Sequence, residues 1–340
     1  MKQINVAING FGRIGRLFFR QAIANQSLKI VAINDLGDKE NLAYLLKYDT
    51  VYGRFDEELK VTDKGFSVSG QEIIYLQQKD PTLLPWKDFG VDIVVESTGV
   101  FESYEKAKVH ITSGAKRVVI TAPAKDVDGP EGKTVLMGIN ETDLKTCNIS
   151  SNGSCTTNAA SPVIQIMNET IGIEKAILST VHAYTATQNI VDGPTKGKDF
   201  RRGRAGAQNI APSTTGAAVA VTRAIPELAL KFDGIAMRVP TVSGSIADIT
   251  FISKKKTTVE EINDIFKKAA LDSRWKGILK VVEDQIVSSD IVGEPYGAIV
   301  DLGFTKVVDG NLVKVLSWYD NEMGYVATLV NHVLKAAENI

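Results

Sequence analysis

Two cysteines and three histidines make up the chain's stock of thiol nucleophiles and near-neutral bases. Cys155 stands in Ser154-Cys155-Thr156-Thr157-Asn158, where an extended segment, 148–153, gives way to a helical run. A thiol at a helix N-terminus feels the positive end of the dipole, which lowers its pKa and enriches the thiolate. Cys147 lies in an extended run without a cationic neighbour and reads as a small buried apolar residue. Thiolate attack on an aldehyde also needs a base for the hydroxyl proton, and imidazole has the pKa range for it. His110 and His332 fall in helical stretches among lysines and apolar residues, which favours packing or surface roles. His182 instead ends a strand and opens a long loop, in His182-Ala183-Tyr184-Thr185, so it is the preferred partner of Cys155.

A second group of residues suits anions. Gly10-Phe11-Gly12-Arg13-Ile14-Gly15 follows an apolar strand and opens a helix. In that context the glycines let backbone approach a pyrophosphate at the positive helix end. Asp35 ends the next strand, where a carboxylate accepts from both hydroxyls of an adenosine ribose. Ser97-Thr98-Gly99 and Thr121-Ala122-Pro123 mark further strand ends, the side on which open α/β sheets bind ligands. Arg201-Arg202-Gly203-Arg204 lies in the long loop, Arg238 follows a strand, and Ser213-Thr214-Thr215-Gly216 precedes the helical run 217–224. Forked guanidinium groups and a helix start both hold phosphate. A solvated basic loop or an ordinary helix cap explains any one of these alone, but together they point to an anionic partner.

The elements that must carry these residues follow two patterns. Up to about residue 150, short β-branched runs (Asn5–Asn9, Ile30–Asn34, Asp92–Glu96, Arg117–Thr121, Thr134–Gly138) alternate with helical segments (Arg13–Asn25, Lys39–Lys47, Ser103–Thr112), as in a parallel sheet wound with helices. Beyond Cys155 a helix to about Asn168 is followed by longer extended runs at Lys175–His182, Gly234–Val239, Ser245–Ser253, Ala298–Leu302 and Leu312–Trp318. These suggest a mostly antiparallel sheet. Thr258-x-x-Glu261 is a capping box, and Glu322–Asn339 is amphipathic. The fold class is α/β: a Rossmann-type parallel-sheet domain plus an α+β catalytic domain. The segment between His182 and Asn209 is polar and without period, and loops of that length are usually functional or disordered.

Composition narrows the function. The chain has 340 residues, with 39 Lys plus Arg against 40 Asp plus Glu and a formal charge of -1, so no global field draws it to nucleic acid or membrane. Two cysteines exclude a disulfide scaffold and a Cys-rich zinc site, and no metal is expected. No apolar run has signal-peptide or membrane-spanning length, and the chain reads as soluble and cytoplasmic.

The motifs NGFGRIGR (Asn9–Arg16), NDL (Asn34–Leu36), LLKYD (Leu45–Asp49), STG (Ser97–Gly99), SCTTN (Ser154–Asn158), HAYT (His182–Thr185), RRGR (Arg201–Arg204), STTGAA (Ser213–Ala218), MRVPT (Met237–Thr241) and WYDNEMGY (Trp318–Tyr325) occur in order over the whole chain. In them the chain resembles the phosphorylating glyceraldehyde-3-phosphate dehydrogenase family. The resemblance implies a cytoplasmic homotetramer with an NAD-binding domain of residues 1–154, joined by the C-terminal helix 319–340, and a catalytic domain of residues 155–318. It implies that Cys155 attacks glyceraldehyde 3-phosphate with His182 as base, and that inorganic phosphate releases the thioester. Thr185 and Arg238 would hold the substrate's phosphate, and Ser154, Thr156, Arg202, Thr215 and Gly216 the attacking one. Arg13, Ile14, Asp35, Lys79, Thr121 and Asn321 would contact NAD beside Gly10, Gly12, Gly15 and Thr98. Lys79 stands where many members have Arg, and Gly193 where strictly NAD-dependent members carry leucine; with Lys196 or Lys198 on that loop, some NADP use is expected.

The same cysteine and histidine would serve an erythrose-4-phosphate dehydrogenase, in which water completes the reaction. A reading from another class is an NAD-sensing or RNA-binding protein without catalysis. Dependence of turnover on inorganic phosphate, set against polynucleotide binding, separates the three.

Overall fold

The computed structural model describes residues 3–195 and 197–340, so Lys196 lies outside the described residues. The chain divides into two compact units, 1–153 with 329–340 and 154–328.

In the first unit, nine strands of the described residues form one sheet in the order Lys133–Thr134, Ile149–Ser151, Arg117–Ile120, Ile93–Glu96, Ile4–Asn9, Leu28–Asn34, Gln71–Leu76, Gly65–Val68, Leu59–Val61. Pairing is parallel from the first edge through Gln71–Leu76 and antiparallel over the last two steps. The central strands Ile93–Glu96 and Arg117–Ile120 are buried at every position, because helices cover both faces of a parallel sheet. Helix Arg13–Ile23 buries Leu17, Phe18 and Ala22.

The second unit is built on a seven-stranded sheet in the order Ala211–Thr214, Phe232–Val239, Ile173–Ala183, Ser245–Ser253, Leu312–Tyr319, Ala298–Val308, Leu279–Val282. Four of its pairings are antiparallel and two parallel. Ser245–Ser253 alternates buried and half-buried residues along its length, the signature of a sheet covered on one face. Helices Cys155–Thr170 and Val259–Leu271 pack on that covered face.

Three expectations change. The extended run expected at Thr134–Gly138 is a strand only at Lys133–Thr134. Asn140 folds the chain back there, its Nδ2 donating to the Thr134 carbonyl and its Oδ1 accepting from Leu136 N–H. The antiparallel meander Leu59–Leu76 carries no strong alternation and escaped the pattern reading. Residues 319–328, expected with the first domain, belong to the second unit. Asp320 accepts there from Ser243 Oγ at 3.0 Å and Gly293 N–H at 2.8 Å, which ties the segment down.

Candidate active site

Helix Cys155–Thr170 begins under a capping box, Ser154 Oγ accepting from Thr157 N–H and Thr157 Oγ1 from Ser154 N–H, each at 3.1 Å. The cap pins the first turn, and the N–H groups of Cys155 and Thr156 are left to act on the sulphur. His182 and Arg238 are register partners on parallel strands, so their side chains leave the sheet on one face. Cys155 Sγ lies 3.3 Å from His182 Nε2, and Arg238 Nη1 lies 2.7 Å from His182 Nδ1. A guanidinium only donates, so Nδ1 accepts from it and the ring proton sits on Nε2, facing the sulphur. The Ala183 carbonyl also stands 2.7 Å from Nδ1, an opposition that Arg238 eases by donating to that oxygen at 3.2 Å.

Burial sets the charges of this pair. It pushes the Cys155 thiol up, against the pull of Arg238 and Thr156, and pushes His182 down to about 3, with Arg238 acting in the same direction. The direction for the thiol is thus opposite to the lowering expected from the helix start, with burial the largest cause.

Two partners of this corner were not singled out in the sequence. Tyr319 Oη is hydrogen-bonded to Thr156 Oγ1 at 2.8 Å and Thr180 Oγ1 at 2.7 Å, and its ring meets the imidazole edge-on with centroids 5.9 Å apart. Burial pushes its phenol well up, so the hydroxyl keeps its proton and ties the nucleophile's helix to the histidine's strand. Ser245 Oγ accepts from Ala183 N–H at 3.1 Å and donates to Asn321 Oδ1 at 2.8 Å, leaving the Asn321 amide to donate. Tyr319 sits in the buried phase of Leu312–Tyr319, which was the available signal.

The arginine loop resolves by which side chain turns inward. Arg201 pairs with Asp199 at 2.9 Å and Arg204 with Asp192 at 2.7 Å, both toward solvent. Arg202 also reaches Asp199, at 3.5 Å, but is the less exposed side chain and donates to Ser213 Oγ at 2.8 Å and Thr187 Oγ1 at 3.1 Å, and its charge reaches His182. Thr185 Oγ1 lies 3.0 Å from Thr187 Oγ1, Thr215 Oγ1 accepts from Ala217 N–H at 3.2 Å, and helix Ala217–Ala224 starts at Gly216 without a side-chain cap. The second unit thus combines a cysteine–imidazole pair with two guanidinium groups, hydroxyls and an open helix end. Such a set suits covalent chemistry on a phosphorylated compound.

In the first unit a cavity of about 460 Å³ lies at the carboxyl ends of the central strands, lined by Gly10, Gly12, Asp35, Lys79 and Thr98 with Leu36, Pro81, Val100 and Phe101. Gly10 has φ +96°, and a Cβ on it would stand 2.6 Å from the Ser97 carbonyl carbon. A Cβ on Gly15 would meet the Gly10 oxygen at 2.1 Å, whereas one on Gly12 meets nothing within 4 Å. Helix Arg13–Ile23 begins at Gly12 without a side-chain cap, and a helix start of this kind attracts a pyrophosphate through its dipole. Asp35 is fixed at the cavity edge by Phe11 N–H at 2.6 Å and Gly37 N–H at 2.8 Å, with lone pairs remaining. The donor set and the apolar slot fit an adenine dinucleotide.

Against known proteins, residues 4–104 match the model of the glyceraldehyde 3-phosphate dehydrogenase NAD binding domain, and residues 154–321 that of the C-terminal domain. The chain is 48% identical over 329 residues to the glyceraldehyde-3-phosphate dehydrogenase of Clostridium pasteurianum, covering 96% of each. It is 48% identical over 331 residues to that of Streptomyces coelicolor, covering 96% of this chain and 97% of the relative. It belongs to the glyceraldehyde-3-phosphate dehydrogenase family. A Geobacillus stearothermophilus relative is similar at 47% over 330 residues. NAD is the cofactor.

Within this member of the family, the cofactor residues expected from the sequence separate. Gly10, Gly12, Asp35, Lys79 and Thr98 line the cavity, while Arg13, Ile14, Gly15 and Thr121 are not among its lining residues. Arg13 is bonded to Asp49 and lies over the Tyr52 ring at 5.7 Å. Thr121 N–H donates to the Glu96 carbonyl at 3.0 Å. Asn321 belongs to the second unit.

Proposed function

We propose that the chain catalyses the NAD-dependent oxidative phosphorylation of D-glyceraldehyde 3-phosphate to 1,3-bisphosphoglycerate, with Cys155 as nucleophile and His182 as base. The observation that carries this reading is the 3.3 Å approach of Cys155 Sγ to His182 Nε2 beside Arg238. Thr185 and Arg238 hold the aldehyde's phosphate. As Arg238 turns to that anion, Nδ1 is released to donate to the Ala183 carbonyl, and Nε2 becomes free to take the proton. Cys155 Sγ then bonds to the aldehyde carbon as its S–H bond breaks and that proton passes to the aldehyde oxygen, and His182 removes the proton of the resulting hydroxyl. When bound, NAD would supply the hydride acceptor for that carbon. The acyl group is left on sulphur as a thioester, which keeps the free energy of the oxidation. Arg202, Thr215, Gly216, Ser154 and Thr156 place inorganic phosphate, whose oxygen takes the acyl group and releases the thiolate. Gly10, Gly12, Asp35, Lys79 and Thr98 hold the adenosine and pyrophosphate of NAD, with Arg13, Ile14, Gly15 and Thr121 beside them and Asn321 toward its reacting end. Some turnover of NADP belongs to the same reading.

The homotetramer and the cytoplasmic location belong to this proposal too. Ile177, Ile235, Val308 and Leu312 are exposed on the second sheet, and uncovered apolar surface of this kind is what subunit interfaces bury. None of the helices of the described residues is long and apolar enough to cross a membrane. The decisive assay follows NADH absorbance from glyceraldehyde 3-phosphate with and without inorganic phosphate. Sustained turnover should require phosphate or arsenate; equal rates without either would favour an erythrose-4-phosphate dehydrogenase type of reaction, and absence of NADH a non-enzymatic role.

A further inference from the structure

Glu96 lies at the carboxyl end of a central strand, 2% exposed, with four donors directed at its carboxylate. Oε1 accepts from the N–H of Thr98 at 2.9 Å and from its hydroxyl, and Oε2 from Asn9 Nδ2 at 2.6 Å and His110 Nε2 at 3.0 Å. Trp86 Nε1–H donates to His110 Nδ1 at 3.1 Å, which leaves the ring proton on Nε2, pointing at Glu96. The polarity then propagates sideways. Asn9 spends its amide on Glu96, so its Oδ1 accepts from Asn34 Nδ2 at 2.8 Å, and Asn34 Oδ1 accepts from Gln78 N–H at 2.9 Å. Glu96, Asn9 and Asn34 are register partners on three adjacent parallel strands. Their side chains make a continuous hydrogen-bonded floor from Thr98, Val100 and Phe101 on one wall of the dinucleotide cavity to Gln78, Lys79 and Pro81 on the other.

We propose that Glu96 is a positioning residue for cofactor binding: by fixing the direction of every hydrogen bond in this floor, it sets the separation of the two walls that clasp the adenosine half of NAD. The proposal rests on the assignment of this cavity to adenosine. A carboxylate is required because only two bare oxygens satisfy four donors. An amide in its place turns an NH2 toward either Thr98 or the Asn9 and His110 pair, and two donors facing one another in a buried site must separate.

The test compares the parent protein with Glu96→Gln, Asn9→Asp and the double variant, by calorimetric titration with NAD and with AMP and by steady-state kinetics. For Glu96→Gln the Kd of NAD and of AMP should rise together by about tenfold, as expected for a lost charge-assisted hydrogen bond, and the KM for NAD should follow. The kcat at saturating NAD should fall less than about twofold, a split that a general loss of structure would not produce. Asn9→Asp alone opposes two carboxylates and should bind worse still. The double variant moves the charge one position along the floor. There the new carboxylate accepts from Asn34, from the amide at 96 and from His110, which already approaches Asn9 Nδ2 at 3.4 Å, so affinity should return above that of either single variant. Parent-like affinity in Glu96→Gln, loss for NAD without loss for AMP, or a double variant no better than the singles would each overturn the proposal. A parent protein that binds NAD without competition from AMP would remove the cavity assignment beneath it.

Discussion

Each unit of this chain brings together one cysteine, one histidine and one arginine, with Cys147, Arg117, His332 and His182 buried and Cys155 and Arg238 half-buried. In the first unit Arg117 donates to the carbonyls of Leu144, Cys147 and Asn339, His332 is bonded to Ser150 and Asn152, and Cys147 Sγ faces the Asp143 carbonyl at 3.5 Å. In the second, Cys155 faces His182, and Arg238 faces both that ring and its carbonyl neighbour. Burial acts alike on both, pushing each thiol up and each imidazole down to about 3. What differs is partnership. Around Cys147 the arginine and the histidine are each spent on backbone or polar side chains, so the thiol has no base. Around Cys155 the imidazole Nε2–H points at the sulphur and its other nitrogen has two competing partners, so a small change at Arg238 alters where the proton goes and makes Nε2 a base. The lesson is that buried titratable residues of the same types are reactive or inert according to which hydrogen bonds remain to be exchanged.

The comparison breaks most readily at the sulphurs. Cys155→Ser should lower turnover by at least about a thousandfold, the scale on which loss of a covalent nucleophile is felt, and Cys147→Ser by less than about twofold. Comparable losses in the two variants, read in the NADH assay, would erase the distinction. Next comes the base: His182→Asn should reduce kcat by about a hundredfold or more and slow iodoacetamide labelling of Cys155, leaving that of Cys147 as it was. Mass spectrometry of the alkylated peptides reads both sites in one experiment.

A smaller effect separates the two guanidinium groups of the second unit. Arg202→Leu should raise the KM for inorganic phosphate by about tenfold with less change in the KM for the aldehyde, and Arg238→Leu should do the reverse. The crossed pattern would exchange the two anion assignments. The smallest effect lies with His332, whose folded pKa is depressed to about 3 from 6.5. The ring is neutral in the fold, so its contribution is fully present above pH 6.5. Below that the unfolded chain takes up the proton and stability falls as pH drops toward 3. His332→Asn should remove up to about 1.4 kcal/mol per pH unit from that slope, measured by denaturant unfolding between pH 7 and pH 5. An unaltered slope would show that His332 is not held neutral.

Cys147 also shows where local reading stopped. The residues on either side of it, Thr146 and Asn148, are uncharged, yet Arg117 donates to its carbonyl at 2.9 Å, because strands Arg117–Ile120 and Ile149–Ser151 pair side by side. The meander between residues 59 and 76 was missed for a related reason: short strands at a sheet edge, where burial is partial, carry weak alternation.

By itself the sequence determined the parts whose causes are local. Glycine spacing after an apolar strand, the helix start at Cys155, the extended run at Ser245–Ser253 and the inventory of one eligible histidine are read from neighbours in the chain, and each leads to the element or residue type the chemistry needs. Tertiary structure alone decided how those parts are charged and which way they point. The register that sets His182 beside Arg238, the Tyr319 bridge from Thr156 to Thr180, the turning inward of Arg202 and the alignment of Glu96, Asn9 and Asn34 all join residues distant in sequence. Desolvation and hydrogen-bond polarity depend on everything packed around a group, and no window of the chain contains that information.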